Sequence, residues 1–150
     1  MMRSTGRVAA NLVEHRFSKA SVQLSTSFAN ELPLVACEPR LMEQVLVNLL
    51  LNACDACATG ERVELRIVAE RGRVAFVVDD DGMGISSDAA ARMLEPFFTT
   101  KSAGEGSGLG LAITNELVKH HRGKLTLAAR DGHRGTRACV ELPTAPEPNA

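Results

Sequence analysis

Tryptophan and tyrosine are absent from this chain, and only five phenylalanines stand among its 150 residues. So few flat faces exclude a base-stacking platform for single-stranded nucleic acid. Neither sign of charge is in excess: 17 Lys and Arg face 18 Asp and Glu, for a net charge of −1. The electrostatic footprint of a nucleic-acid or anionic-membrane binder is therefore missing. No apolar run nears the roughly 20 residues of a membrane-spanning helix, and the N-terminus lacks the apolar centre of a signal peptide. A cytoplasmic location is the expectation. Cysteine is too scattered for a four-ligand zinc site. Cys54 and Cys57 share a Cys-x-x-Cys inside a helical pattern, while Cys37 and Cys139 are isolated. All four read as small buried hydrophobes. Two phosphate-loop patterns are missing as well: there is no Gly-x-x-x-x-Gly-Lys-Ser/Thr, and no Gly-x-Gly-x-x-Gly after a strand.

What is present is an ordinary globular composition, 45% hydrophobic and 23% charged, at a length that suits one domain. Residues 1–143 read as that domain and residues 144–150 as a disordered tail. Hydrophobic periodicity predicts helices over residues 5–19, 40–58, 87–94 and 109–121. Strands are predicted over 22–28, 34–37, 62–70, 73–79, 124–129 and 136–142. The sum is an α/β (α+β) fold, a two-layer sandwich in which a mixed, largely antiparallel sheet of about five strands packs on about three helices. Between the third and fourth helical patterns, Gly104, Gly106, Gly108 and Gly110 alternate with other residues and run into a helix. Glycine lets backbone N–H groups approach a ligand, and a helix N-terminus favours anions. A flexible surface loop has the same composition, so the stretch alone leaves both readings open.

Two further stretches point to a polar site. The helix over 40–58 is apolar almost all round, yet Gln44, Asn48, Asn52 and Asp55 fall on one face. A solvent face would carry Lys, Glu and Arg. Carboxamides fit an enclosed site that offers oxygen to a cation, or they bond to neighbouring backbone. In the strand over 73–79, alternation carries Asp80 onto the side of Val74, Phe76 and Val78, while Asp79 and Asp81 point the other way. A carboxylate on the apolar side needs hydrogen-bond donors, and an adenine amino group would serve. The plain alternative is a loop with all three aspartates solvated.

Three stretches stand in order: Glu43 to Ala56 with Asn48, Asn52 and Asp55; Asp80-Asp81-Gly82-Met83-Gly84-Ile85; and Glu95-Pro96-Phe97-Phe98-Thr99-Thr100-Lys101 through Gly106-Ser107-Gly108-Leu109-Gly110-Leu111. Together they resemble the N, G1, F and G2 boxes of the Bergerat-fold (GHKL) catalytic ATP-binding domain of two-component sensor histidine kinases. Gly135 and Thr136 before a last strand resemble that family too. The resemblance implies ATP and Mg²⁺ as cofactors. It implies that Asn52, with Asn48 nearby, holds Mg²⁺. Asp80 accepts from adenine N6, Thr136 supports it, and Gly82, Gly84 and Ile85 line the base. Residues 99–107 form a lid, in which Thr100, Lys101, Gly106 and Ser107 face the phosphates with the N–H groups of Gly108, Leu109, Gly110 and Leu111. Phe97 and Phe98 anchor that lid or meet a partner helix, or else pack in the core. Asp55 stands in the phosphate-contacting region where the family often has Lys, and Ala56 stands where it often has an aromatic residue. A phosphate contact and a stacking partner are then wanting.

Hydrolytic relatives of the fold carry a glutamate four residues before the Mg²⁺ asparagine, as a general base. Here that position is Asn48, and Glu43 lies off the stripe. The expectation is transfer of the γ-phosphoryl to a histidine, with Asn48, Asn52 and Lys101 as the catalytic set. The alternative is a nucleotide-binding module that hydrolyses ATP or signals only by protein contact. His15, His120, His121 and His133 match no phosphoacceptor pattern. The implied partners are therefore the dimerisation and phosphoacceptor helices of a longer kinase and, indirectly, a response regulator. Neither nucleic acid nor membrane contact is expected, and the chain itself is expected to be monomeric. The longer kinase can be membrane-bound with this domain on the cytoplasmic side.

Overall fold

The computed structural model describes residues 2–84, 92, 110–130 and 132–144. Helix α1 spans Met2–Ala20, strand β1 Gln23–Phe28, helix α2 Pro39–Ala56, β2 Arg62–Glu70 and β3 Arg73–Asp80. Helix α3 follows over Gly110–His120, then β4 over Lys124–Ala129 and β5 over Thr136–Pro143. The five strands form one sheet in the order β1-β2-β3-β5-β4. β1 runs parallel to β2 and every other pair is antiparallel. The two-layer arrangement expected from periodicity is thus the one found.

Period-2 alternation gives the sheet one apolar face, and the helices cover it. Val63, Leu65 and Ile67 of β2, Val74, Phe76 and Val78 of β3, and Val140 and Leu142 of β5 are buried in one core. Val13 and Phe17 of α1, Val45, Leu46, Leu49 and Leu50 of α2, and Val118 of α3 close it from the other side. Each such side chain contributes roughly 1.5–3 kcal/mol when fully buried. β3 is central, and every residue from Val74 to Asp80 is buried. Its inner face meets the helices. Its outer face is covered by long side chains of the flanking strands.

Several boundaries differ from the sequence expectation. α1 begins earlier, at Met2, because Met2, Thr5 and Gly6 also pack inward. The strand expected over 34–37 is a single bridge from Val35 to Thr144. Leu34 is exposed, and Pro33 has no N–H to extend a ladder. α2 stops at Ala56, since Cys57 is extended with φ −92° and ψ 146°. The Gly60 N–H bonds to the Ser21 carbonyl at 2.8 Å in the link to β2. β3 continues one residue further, through Asp80. The helix expected over 87–94, apart from Arg92, and the tail beyond 144 lie outside the described residues. Cys54 is buried, while Cys37, Cys57 and Cys139 are half-buried, and all four are free thiols. Among the described residues, no helix is long and apolar enough to cross a membrane.

Candidate functional site

Four segments are joined by direct contacts: the end of α2 meets the loop after β3 through Ala56, the end of β3 meets the start of β5 through Asp80 and Thr136, and α2 meets α3 through Asn48 and Thr114. The end of β3 is drawn in by backbone bonds. The Asp81 N–H donates to the Arg62 carbonyl at 3.0 Å, and the Met83 N–H to the Ala56 carbonyl at 3.3 Å. Gly82 is pressed on Ala56 so closely that any Cβ would collide with that residue's backbone. The loop after β3 is thereby fixed against the helix that carries Asn48 and Asn52.

Asp80 is 5% exposed. Its Oδ1 accepts two backbone N–H groups, from Gly82 at 2.9 Å and from Thr136 at 3.2 Å. Oδ2 takes no partner among the described residues. Burial pushes the carboxyl above the usual carboxylate range, and the two N–H groups and the Arg130 charge offset this only in part. Arg130 acts on the backbone beside it. One guanidinium nitrogen, Nη1, donates to the Asp80 carbonyl at 3.0 Å and to Asp81 Oδ1 at 2.7 Å. Gly135, at φ +115°, lies so near the Asp80 carbonyl that no other residue fits there. That approach delivers the Thr136 N–H. Cys57 is nearby; burial and then the Asp80 charge push its thiol up to about 11, so it stays protonated.

On α2, the expected stripe divides by its partners. Asn48 Nδ2 donates to Thr114 Oγ1 of α3 at 3.2 Å. Thr114 Oγ1 itself donates to the Gly110 carbonyl at 2.8 Å. A hydroxyl has one proton, so the threonine can only accept from Asn48, and the carboxamide orientation is set. The oxygen is then the end of Asn48 left for another group. Asp55 is turned towards α1, where it pairs with Arg16 at 3.2 Å. Gln44 is exposed, and Asn52 is half-buried one turn before the end of α2. Gly84, at φ +80°, lies beside Gly135, and Leu111 is buried in the first turn of α3. Ile85, Thr100, Lys101, Gly106, Ser107, Gly108 and Leu109 lie outside the described residues, as do Phe97 and Phe98.

Sequence reasoning missed three polar side chains. Asp79 points to the outer face as expected, yet it is buried and paired. Arg137 grips it with Nε to Oδ1 at 2.7 Å and Nη2 to Oδ2 at 2.9 Å, and Arg66 reaches Oδ2 at 3.3 Å. Asp79 stands directly opposite Arg137 in the β3–β5 register, so the signal was there once the strands were paired. Arg130 and Thr114 gave no sequence signal, because their partners are 49 and 66 residues away. His121 sits at the C-terminus of α3, where its Nδ1 contacts the Leu117 carbonyl at 2.7 Å. Its Nε2 accepts the Glu38 N–H at 3.3 Å, tying that end to the start of α2. These contacts put the ring proton on Nδ1.

Comparison with known proteins agrees with this fold. The sequence pattern of the family described as "Histidine kinase-, DNA gyrase B-, and HSP90-like ATPase" matches residues 37–146. The C4-dicarboxylate transport sensor protein DctS of Rhodobacter capsulatus is 38% identical over 138 residues, 89% of this chain and 20% of that protein. Sporulation kinase E of Bacillus subtilis is 30% identical over 138 residues, 91% of this chain and 18% of that protein. Full-length ShkA, solved in complex with AMPPNP, superposes with a TM-score of 0.85 at 28% identity, covering 99% of this chain and 31% of that one. This chain thus spans about a fifth of the length of these two curated relatives, 20% of DctS and 18% of sporulation kinase E. By motif order, fold and extent of match, the chain belongs to the histidine kinase-, DNA gyrase B- and HSP90-like ATPase family, alongside the catalytic domains of sensor histidine kinases.

Proposed function

We propose that this chain binds Mg·ATP where α2, β3, β5 and α3 meet, and donates the γ-phosphoryl to a histidine carried on a separate helix. It would thus serve as the catalytic domain of a longer protein-histidine kinase. The observation that carries the reading is the Asp80 carboxylate. One of its oxygens is saturated by two backbone N–H groups and the other has no partner among the described residues, which suits a single exocyclic amino group such as adenine N6. Thr136 holds that carboxylate through its N–H, and Gly82 and Gly84 let the backbone lie close beside the base.

At the other end, the donor set suits a hard cation. Asn48 has its nitrogen committed to Thr114 and its oxygen without a partner among the described residues, and Asn52 stands one turn further along the same helix. Mg²⁺ bound there would neutralise charge on the triphosphate. Lys101, Thr100, Ser107 and the N–H groups around Gly106, Gly108, Leu109, Gly110 and Leu111 are assigned to the phosphates by motif position alone. Asp55, being anionic and paired with Arg16, is a poor phosphate partner. Because Asn48 occupies the position of the hydrolytic base, water activation is disfavoured and transfer to histidine is preferred. The proposed partners are phosphoacceptor helices and, through them, a response regulator; the related kinase ThkA has been solved in complex with its response regulator TrrA.

The test combines this chain, Mg·ATP labelled at the γ-phosphate and a phosphoacceptor helix dimer supplied in trans. Acid-labile label on the acceptor histidine is expected, with slow release of phosphate when the acceptor is omitted. ATP binding without transfer, or rapid hydrolysis by the chain alone, would overturn the reading.

A further inference from the structure

We infer that Thr114 is a positioning residue for the metal end of the site: its hydroxyl holds the Asn48 carboxamide by the nitrogen and leaves the oxygen for the cation. The inference rests on the Mg·ATP reading above. Thr114 is 0% exposed and its hydroxyl has two partners. Downstream, Oγ1 donates to the Gly110 carbonyl at 2.8 Å, within the first turn of α3. Upstream, it receives Asn48 Nδ2 at 3.2 Å, from a helix 66 residues away in sequence. The order of donors is forced, since the single hydroxyl proton is spent on the carbonyl.

A carboxamide free to rotate offers nitrogen or oxygen in nearly the same shape. Nitrogen at a cation site is repulsive, so an unrestrained Asn48 would lose part of its population to the wrong face. Partners that orient a metal ligand typically change metal affinity by roughly 10–100-fold when removed. The same hydroxyl ties Asn48 to Gly110, the last glycine of the run that enters α3. The first turn of α3 and the orientation of Asn48 are therefore held by one side chain. Nothing in motif order assigns this role, because Thr114 follows the glycine-rich motif rather than belonging to it.

The experiment measures ATP affinity of the 150-residue protein with Mg²⁺ and with a chelator, in the wild type, Thr114→Val and Thr114→Ser. Valine keeps the volume and removes the hydroxyl; serine keeps the hydroxyl. The Mg²⁺-dependent gain in affinity should fall roughly ten-fold in Thr114→Val and stay near wild type in Thr114→Ser. Metal-free affinity should match in all three. An unchanged Mg²⁺ gain in Thr114→Val would overturn the inference, as would an equal fall in metal-free binding, which marks a merely structural role. A wild type whose affinity ignores Mg²⁺ would overturn the metal reading itself, and this inference with it. Should the valine variant fail to fold, side-chain amide NMR of the unmutated protein decides. The Asn48 Nδ2 protons should show contacts to the Thr114 side chain, and their absence would sink the proposal.

Discussion

Asp80 shows how two oxygens of one carboxylate can be given different work. Its Oδ1 is taken by the N–H groups of Gly82 and Thr136, so any replacement must keep an acceptor there. Asn can do so only by pointing its own NH₂ where Oδ2 stood. That places donor against donor when adenine N6 arrives. Asp80→Asn is therefore expected to weaken ATP binding about 10–100-fold, the scale of a lost hydrogen bond to a charged group plus its unpaired remainder. Titration calorimetry checks this. Stability should move the other way. Burial raises the folded-state pKa above the unfolded value, so the native state holds the proton more readily and stability falls as pH rises through that interval. At neutral pH the ionised carboxylate is a cost that Asn does not carry, and the variant should melt no lower than wild type. A large drop in melting temperature would show that Asp80 is structural first.

The strands bring the site together through two close approaches, and the turn between β4 and β5 is the more demanding. Gly132 and Gly135 both have positive φ in that turn, +68° and +115°. Around Gly132 no described residue lies within 4 Å of an added Cβ, whereas at Gly135 the Cβ would strike the Asp80 carbonyl. Gly132→Ala should therefore cost about 1 kcal/mol, the conformational strain alone. Gly135→Ala should cost about 3 kcal/mol or more, because β5 must also move away from β3. The same shift would withdraw the Thr136 N–H from Asp80. Denaturant unfolding of the two variants, with ATP binding measured on each, tests both halves. Equal losses at the two glycines would show that the contact with Asp80 is not limiting.

At the scale of the whole molecule, charge ties the outer face of the sheet, and among the described residues no second layer of helices covers it. Glu64 and Asp79 stand directly opposite each other on β2 and β3, which would repel. Arg66 bridges them, at 3.2 Å from Glu64 and 3.3 Å from Asp79, and Arg137 closes from β5. Burial alone would raise the Asp79 carboxyl, but the Arg137 hydrogen bonds and the charges of Arg137, Arg130 and Arg66 outweigh it and hold the carboxyl below the usual range. Its contribution is thus present above an unfolded pKa of about 4 and lost as pH falls through the lower folded value. Asp79→Asn should cost about 1–3 kcal/mol at pH 7, reduced from the fully buried case because the arginines are partly solvated. The loss should shrink on acidification below about pH 4. A pH-independent difference between the two proteins would remove the ion-pair account.

Periodicity in the sequence determined the element types, because an apolar stripe of a helix and an alternating face of a strand are written locally. The order of motifs around Asn52, Asp80 and Gly110 determined the family, and the inward placement of Asp80 followed from one further step of strand geometry. Tertiary structure decided everything that depends on partners far apart in the chain. Asp79 is buried because Arg137 and Arg66 are brought across the sheet to neutralise it. Asp55 is paired with Arg16 of α1, 39 residues away in sequence. Oδ1 of Asp80 is spent on Gly82 and Thr136, and Asn48 is oriented by Thr114. Donor, acceptor and charge matching act over a few ångströms, and only the packing of α2 on α3 and of β3 on β5 sets which residues come within that range.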